Sequence, residues 1–427
     1  MKKTMLLLLS IALLLFGCSK NEPEDDTLKV KEGGAELTIA RLSDVPEPMK
    51  EMLIEKFPQI KFNFIYVQIP TLQPTISMLL NVDLDTLRQE GNNPDIIFDQ
   101  DGLVVPPHLR DEINFDLTPL IDTNSLDTSV FLPELLNRTT GQDGAVYSLP
   151  VMRAVYGLFY NKKVFDANKV PYPVDGMTWD EVIQLSSKFS NGQDEGQYRG
   201  LDLSALGDGY LLALDQKGLS FVNPERDESA VSSSEWRSFL QSLQSIYQIP
   251  ANSSRDILSF YDGKTAMAIG SSAQPLVVGE QKGQDIDLVT FPTLDKGSNI
   301  GAVSRFESVM ISKESKNKEL AFQVISYLVS KEAQTQLSRM GFGSVLDDDG
   351  INKQFGEKYP ELKSKNIAAF FKPKQPPMNR LSRYEMVGYL AAAPSLNRMI
   401  ANGIDIDATI QDMDANIKQA ITDEKQK

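Results

Sequence analysis

Between Glu36 and Val67, two runs that alternate like strands enclose one that repeats like a helix, and that order leaves few folds open. Glu36-Leu37-Thr38-Ile39-Ala40 and residues 60–67 alternate with the period of two that a half-buried strand requires. Residues 46–57 instead carry their apolar side chains at helical spacing. A strand, a helix and a strand in succession predict an α/β unit built on a parallel sheet. The same vocabulary continues along the chain. A helical stretch is expected over 74–89, then a short buried strand at Pro94-Asp95-Ile96-Ile97-Phe98, and further strands at Tyr147-Ser148-Leu149-Pro150-Val151 and Gly157-Leu158-Phe159-Tyr160. Thr178 is a good N-cap, and Glu181 three residues on completes a capping box for a helix through Phe189. Helices are expected over 234–247, 319–328, 331–340 and 404–421, with a break at Ser330 and a short strand at 266–269.

At 427 residues the chain is too long for one core, since single cores rarely grow past about 250–300 residues. Its 41% hydrophobic content supplies two. The excess of 58 acidic over 43 basic residues gives a net charge of −15, which repels phosphate backbones and excludes nucleic acid as a partner. One histidine, His108, and one cysteine, Cys18, exclude a disulfide scaffold and a Cys/His zinc cluster, and they starve histidine-based catalysis. Asp347-Asp348-Asp349-Gly350 lacks the alternating ligands and closing glutamate of a calcium loop. No Walker loop or Gly-x-Ser-x-Gly elbow occurs. Neither a metal, a cofactor nor a catalytic residue is therefore expected.

The N-terminus reads as an export signal. Lys2 and Lys3 precede an apolar run over 5–16, shorter than the roughly 20 residues that span a bilayer. That run ends at Leu15-Phe16-Gly17-Cys18, which resembles a bacterial lipobox, where cleavage precedes a cysteine that then carries lipid. The expectation is a signal peptide over 1–17, lipidation of Cys18, and a polar, flexible tether over 18–35. The body would then be held at a membrane, on its extracytoplasmic side.

Five ordered motifs resemble the family 1 extracellular solute-binding proteins of ABC importers, the relatives of maltose-binding protein. They are Gly91-Asn92-Asn93-Pro94-Asp95-Ile96, Tyr147-Ser148-Leu149-Pro150 with Tyr160-Asn161-Lys162 and Phe165, Thr178-Trp179-Asp180-Glu181, Phe260-Tyr261-Asp262-Gly263-Lys264-Thr265-Ala266-Met267, and Ser315-Lys316-Asn317-Lys318-Glu319-Leu320-Ala321 with Gly341-Phe342-Gly343. The resemblance implies a two-lobed, periplasmic-binding-protein-like α/β fold, each lobe a sheet flanked by helices, hinged at crossover strands. On that pattern 36–149 with 294–342 form the first lobe, and 150–293 with 343–427 the second. Individual residues also have plain structural readings. Gly263 supplies a turn, Met267 and Ile269 face a core, Trp179 packs, Asn161 satisfies backbone groups, and Trp236 sits in a surface-type helix.

The resemblance places ligand contacts on loops after strands that face the cleft. Those positions hold Arg41, Ser43 and Asp44; Asp99, Gln100 and Asp101; Arg153 and Tyr156; Tyr210; Ser271 and Ser272; Arg305, Phe306 and Glu307; and Tyr384. Sugar sites combine aromatic faces with planar polar groups. With two tryptophans in the chain, stacking falls to Tyr156, Tyr210, Phe306 or Tyr384. Arg41, Arg153 and Arg305 could clamp a carboxylate, as in an acidic sugar, or each could make a surface or interlobe ion pair. The expected function is that of a monomeric, lipid-anchored substrate-binding component that delivers a sugar or oligosaccharide to an ABC permease. A secreted carbohydrate-active hydrolase and a ligand-binding partner of a membrane sensor are the alternatives.

Overall fold

The computed structural model describes residues 35–41, 45–66, 93–100, 113–141, 144–189, 198–203, 209–249, 252, 260–376 and 381–426. Cys18, the signal peptide, nearly all of the tether, the helix expected over 74–89, Ser43, Asp44, Asp101 and His108 lie outside them. Among the described residues the strands are β1 Ala35–Arg41, β2 Ile60–Tyr66, β3 Ile96–Gln100, β4 Leu149–Arg153, β5 Tyr156–Asn161, β6 Arg199–Asp202, β7 Val222–Asn223, β8 Glu228–Ser229, β9 Thr265–Ser271, β10 Ile286–Thr290 and β11 Phe306–Ile311.

β1 and β2 pair in parallel from Ala35 opposite Ile60 to Arg41 opposite Tyr66, with the helix Glu47–Lys56 crossing between them. The strand–helix–strand pattern predicts this unit. The helix begins after Pro46, buries Met49, Met52 and Leu53, and leaves its charged residues toward solvent. The first sheet has the order β2-β1-β3-β11-β4, and β11 runs antiparallel to both neighbours. A strand from late in the chain is thus inserted between two early ones. Its core contains Leu37, Ile39, Phe98, Val309 and Phe322. Leu149, Val151, Met152, Val345, Leu346 and Ile351 join the same core, so sheet and core membership run a few residues beyond positions 150 and 343.

The second sheet has the order β10-β5-β9-β6. Leu158, Met267 and Ile269 face one cluster, while Phe159, Ala268 and Leu288 face another. Both faces are therefore covered, which explains why β5 and β9 read as continuous apolar runs. The larger cluster is closed by the helices Glu385–Asn402 and Ile406–Lys425, which pack on one another after a left-handed turn at Gly403.

Several local expectations need correction. Trp236 is 1% exposed, and its indole Nε1–H donates to the Ser220 carbonyl at 2.9 Å. The helix Ser234–Tyr247 buries Trp236, Phe239, Leu240, Leu243 and Ile246, an apolar stripe interleaved with serines and glutamines that gave it a surface character. The strand expected at 94–98 is Ile96–Gln100, because pairing with β11 carries it two residues further. The strand expected at 266–269 extends to Ser271, where it pairs with Tyr156. Other expectations match what is present. Thr178 and Glu181 form the reciprocal capping box, Ser330 caps the second of two consecutive helices, and Gly263 has a positive φ of 73°. Asn161 caps its helix by accepting from the Lys163 amide and donates to Gln284.

Candidate functional site

The strand ends of the two sheets meet at the segments that connect them. Arg41 ends β1, Gln100 ends β3 opposite Glu307, and Arg153 ends β4 opposite Phe306. Three residues later Tyr156 begins β5, opposite Ser271 at the end of β9. One end of the first sheet is thereby set against one end of the second. Such junctions beyond the carboxyl ends of parallel strands are where open α/β sheets take ligands.

Backbone hydrogen bonds tie the connections together. Arg153 and Gly343 exchange two bonds of 3.0 Å, Ala154 N–H donates to the Arg305 carbonyl at 2.8 Å, and Ser272 N–H donates to the Val155 carbonyl at 2.9 Å. The third crossing comes so close that a Cβ on Gly343 would lie 2.7 Å from the Arg153 carbonyl oxygen. Only glycine admits that approach without displacement.

A pocket opens at this junction. Its polar lining is Arg153, Tyr156, Ser304 and Gln375, and its apolar walls are Val155, Phe291, Ala302, Phe370 and Pro373. Arg153 Nε–H donates to the Ser344 carbonyl at 2.6 Å and Nη1 to Ser304 Oγ at 3.3 Å, while the guanidinium lies 5.9 Å from the Phe371 ring centre. Burial pushes the Arg153 pKa down to about 10, against the pull of Glu134 and Asp347. Gln375 brackets Ser304: its Nε2 donates to Ser304 Oγ at 2.7 Å, and its Oε1 accepts from the Ser304 amide at 2.8 Å. A cation, an aromatic face, a hydroxyl and a planar amide converge, a set suited to hydroxyl-rich or anionic solutes.

Of the residues singled out in the sequence, Arg153 and Tyr156 line this pocket, and the other described ones do not. Arg41 is held by Glu307 through two bonds, Nε to Oε2 at 3.1 Å and Nη2 to Oε1 at 2.5 Å. Arg305 Nη2 lies 3.4 Å from Asp215 Oδ2. Two members of the expected arginine clamp therefore have carboxylate partners within the protein. Asp99 and Gln100 belong to a strand, not a loop, and Asp99 is 2% exposed. Tyr210 lies on the helix Gly209–Gln216 and is buried in the second core. Phe306 starts β11, is buried in the first core, and has the Arg138 guanidinium 5.0 Å from its ring centre. Ser271 ends β9, and Ser272 follows it with φ of 61°. Tyr384 stands at the N-cap of Glu385–Asn402, with Lys425 Nζ 5.4 Å from its ring centre.

Ser304 and Gln375 escaped the sequence reading. Both sit in irregular segments, 303–305 and 375–376, where no periodicity marks which side chain points inward.

Residues 55–358 match the family described as Bacterial extracellular solute-binding protein. Among solved structures, the chain is similar to an ABC substrate-binding protein from Listeria monocytogenes in complex with cycloalternan, at 17% identity, covering 91% of this chain and 99% of that one with a TM-score of 0.71. It is also similar to the sugar-binding protein MalE from the phytopathogen Xanthomonas citri, at 14% identity, covering 92% and 98% with a TM-score of 0.70. A third likeness is to UgpB from Mycobacterium tuberculosis in complex with glycerophosphocholine, at 13% identity, covering 93% and 100% with a TM-score of 0.68.

Proposed function

Because this chain belongs to the bacterial extracellular solute-binding proteins, we propose that it is the lipid-anchored substrate-binding component of an ABC importer and captures a sugar or oligosaccharide. The observation that carries this reading is the pocket at the sheet junction, where Arg153, Tyr156, Ser304 and Gln375 gather beside three chain crossings. The two sheets form separate lobes, divided near 36–149 with 294–342 and 150–293 with 343–427. Solute enters the open cleft, and the lobes close about the crossings, as in hinged binding proteins. Ligand shifts that equilibrium only by its preference for the closed form. The closed form then docks on the permease, and no bond of the solute is made or broken. Cys18 carries the lipid that keeps the monomeric body at the outer face of the cell membrane, and the tether gives it reach.

The test is a thermal-shift and calorimetric screen of the purified protein against mono- and oligosaccharides, followed by small-angle scattering with any binder. A ligand that raises the melting temperature by mass action and compacts the particle is expected. Binding without compaction sinks the closure mechanism, and hydrolysis of the bound oligosaccharide sinks the transport reading. Lipidation is tested separately: labelled fatty acid should enter the wild-type chain in cells and not Cys18→Ala.

A further inference from the structure

Of the three arginines near the sheet ends, Arg153 differs from the other two in its electrostatics. Arg41 faces Glu307 and Arg305 faces Asp215, but among the described residues no carboxylate lies within 4.0 Å of the Arg153 guanidinium. Glu134 and Asp347 act on it only from beyond ion-pairing distance. A sheltered cation with no counter-ion is costly, and proteins rarely leave one unless something else supplies the charge. Its hydrogen bonding is also incomplete. Nε is committed to the Ser344 carbonyl and one Nη1 hydrogen to Ser304 Oγ. The remaining Nη1 hydrogen and both Nη2 hydrogens have no acceptor among the described residues. The committed Nε fixes the orientation of the fork, and Phe371 backs its face. The terminal edge of the guanidinium is thus the edge left for a ligand, and that edge matches the two oxygens of a carboxylate.

Resting on the solute-binding reading, we infer that Arg153 anchors a carboxylate of the solute, so that the preferred ligand is an acidic sugar carrying a uronate group. Tyr156 and Gln375 line the same pocket, and the buried Ser304 hydroxyl, which accepts from both Arg153 and Gln375, fixes their positions around it.

The experiment compares, by calorimetry on the full soluble body, a uronate oligosaccharide with its neutral counterpart of the same linkage, using trigalacturonate and galactotriose as one such pair. Inorganic phosphate and sulfate are tested as competitors. Wild type should bind the uronate about 10–100-fold more tightly than the neutral sugar, the range expected for losing one charge-assisted contact. Arg153→Gln should abolish that preference, and Arg153→Lys, which keeps the charge but not the fork, should restore part of it. Melting curves of both variants check folding, and the wild-type comparison stands even if a variant unfolds. Equal affinity for the uronate and neutral sugars overturns the carboxylate anchor but leaves sugar capture intact. A uronate preference that survives Arg153→Gln removes this residue from the role. Binding of phosphate or sulfate in place of the uronate assigns the site to another anion and overturns the inference. Failure of every sugar pair to bind overturns the sugar-capture reading and this inference with it.

Discussion

Arg41 at the end of β1 and Glu307 at the start of β11 form a two-pronged ion pair across the intervening strand β3, joining residues 266 positions apart. Their side chains are only 12% and 13% exposed, so the pair is screened far less than a surface salt bridge. It locks the late strand beside the early one at the end of the sheet where the crossings gather. Glu307→Ala strips the Arg41 fork of its carboxylate and should cost about 2–3 kcal/mol in urea unfolding. The apolar double substitution Arg41→Met with Glu307→Leu should cost less than that single change, because no charge is then stranded. A double variant as unstable as Glu307→Ala would contradict this account.

Asp95 is a second joint of the first sheet, and its location in the Pro94-Asp95-Ile96 motif has a physical cause. Its carboxylate accepts from the Thr38 amide at 3.0 Å, from Ser315 Oγ at 2.6 Å and from Asn317 Nδ2 at 3.2 Å. It is 8% exposed and links β1, the entry to β3 and the turn after β11. Asp95→Ala leaves several sheltered donors unmet and should lower stability by about 3 kcal/mol, with Asp95→Asn intermediate. Chemical denaturation of the three proteins checks the order.

The crossing at Gly343 leaves no space for a methyl group. A Cβ there would lie 2.9 Å from Arg153 Cγ and 2.9 Å from Val155 Cγ1, in addition to the carbonyl contact. Gly343→Ala should cost about 2 kcal/mol and weaken solute binding, because the residues it displaces line the pocket. Gly176→Ala is the contrast. Its φ is 79° with nothing within 4 Å, so it should cost about 1 kcal/mol of backbone strain and leave affinity unchanged. Melting temperature and binding isotherms, read together, separate the two.

Glu385 links stability to pH. Its carboxylate accepts from the amides of Phe221 at 2.7 Å and Val222 at 2.9 Å, yet burial outweighs those bonds and raises its pKa to about 7, with Asp215 adding to the rise. A carboxyl whose folded pKa exceeds its unfolded value binds more protons when folded. Its contribution is therefore fully present below the ordinary glutamate range and is lost as pH rises through about 7. The stability of wild type relative to Glu385→Gln should increase as pH falls from 8 to 5. A difference independent of pH, measured by thermal unfolding at several pH values, would falsify the assignment.

What could be read from the chain alone was whatever local geometry imposes. The period of two at Glu36–Ala40, followed by a helical period and another strand, required a parallel pair. The Thr178–Glu181 spacing required a capping box, and the lone run ending in Cys18 pointed to export. Ordered motifs pointed to the family. The burial of Trp236 was hidden because serines and glutamines separate the apolar stripe of its helix, and the stripe gains meaning only when the helices Glu385–Asn402 and Ile406–Lys425 cover it. The strand state of Asp99 and Gln100 was hidden because it depends on pairing with β11, some 200 residues away.

The arginines mark the boundary between the two kinds of information. The sequence by itself placed Arg41 directly after a strand, since the end of an alternating run follows from short-range periodicity, and the family resemblance put Arg153 and Arg305 in segments expected to face the cleft. Only the tertiary structure decided that Glu307 and Asp215 meet two of them while Arg153 shares its pocket with Tyr156, Ser304 and Gln375. Charge partnership acts over a few ångströms of space, and spatial neighbours are set by sheet order and chain crossings that no local pattern encodes.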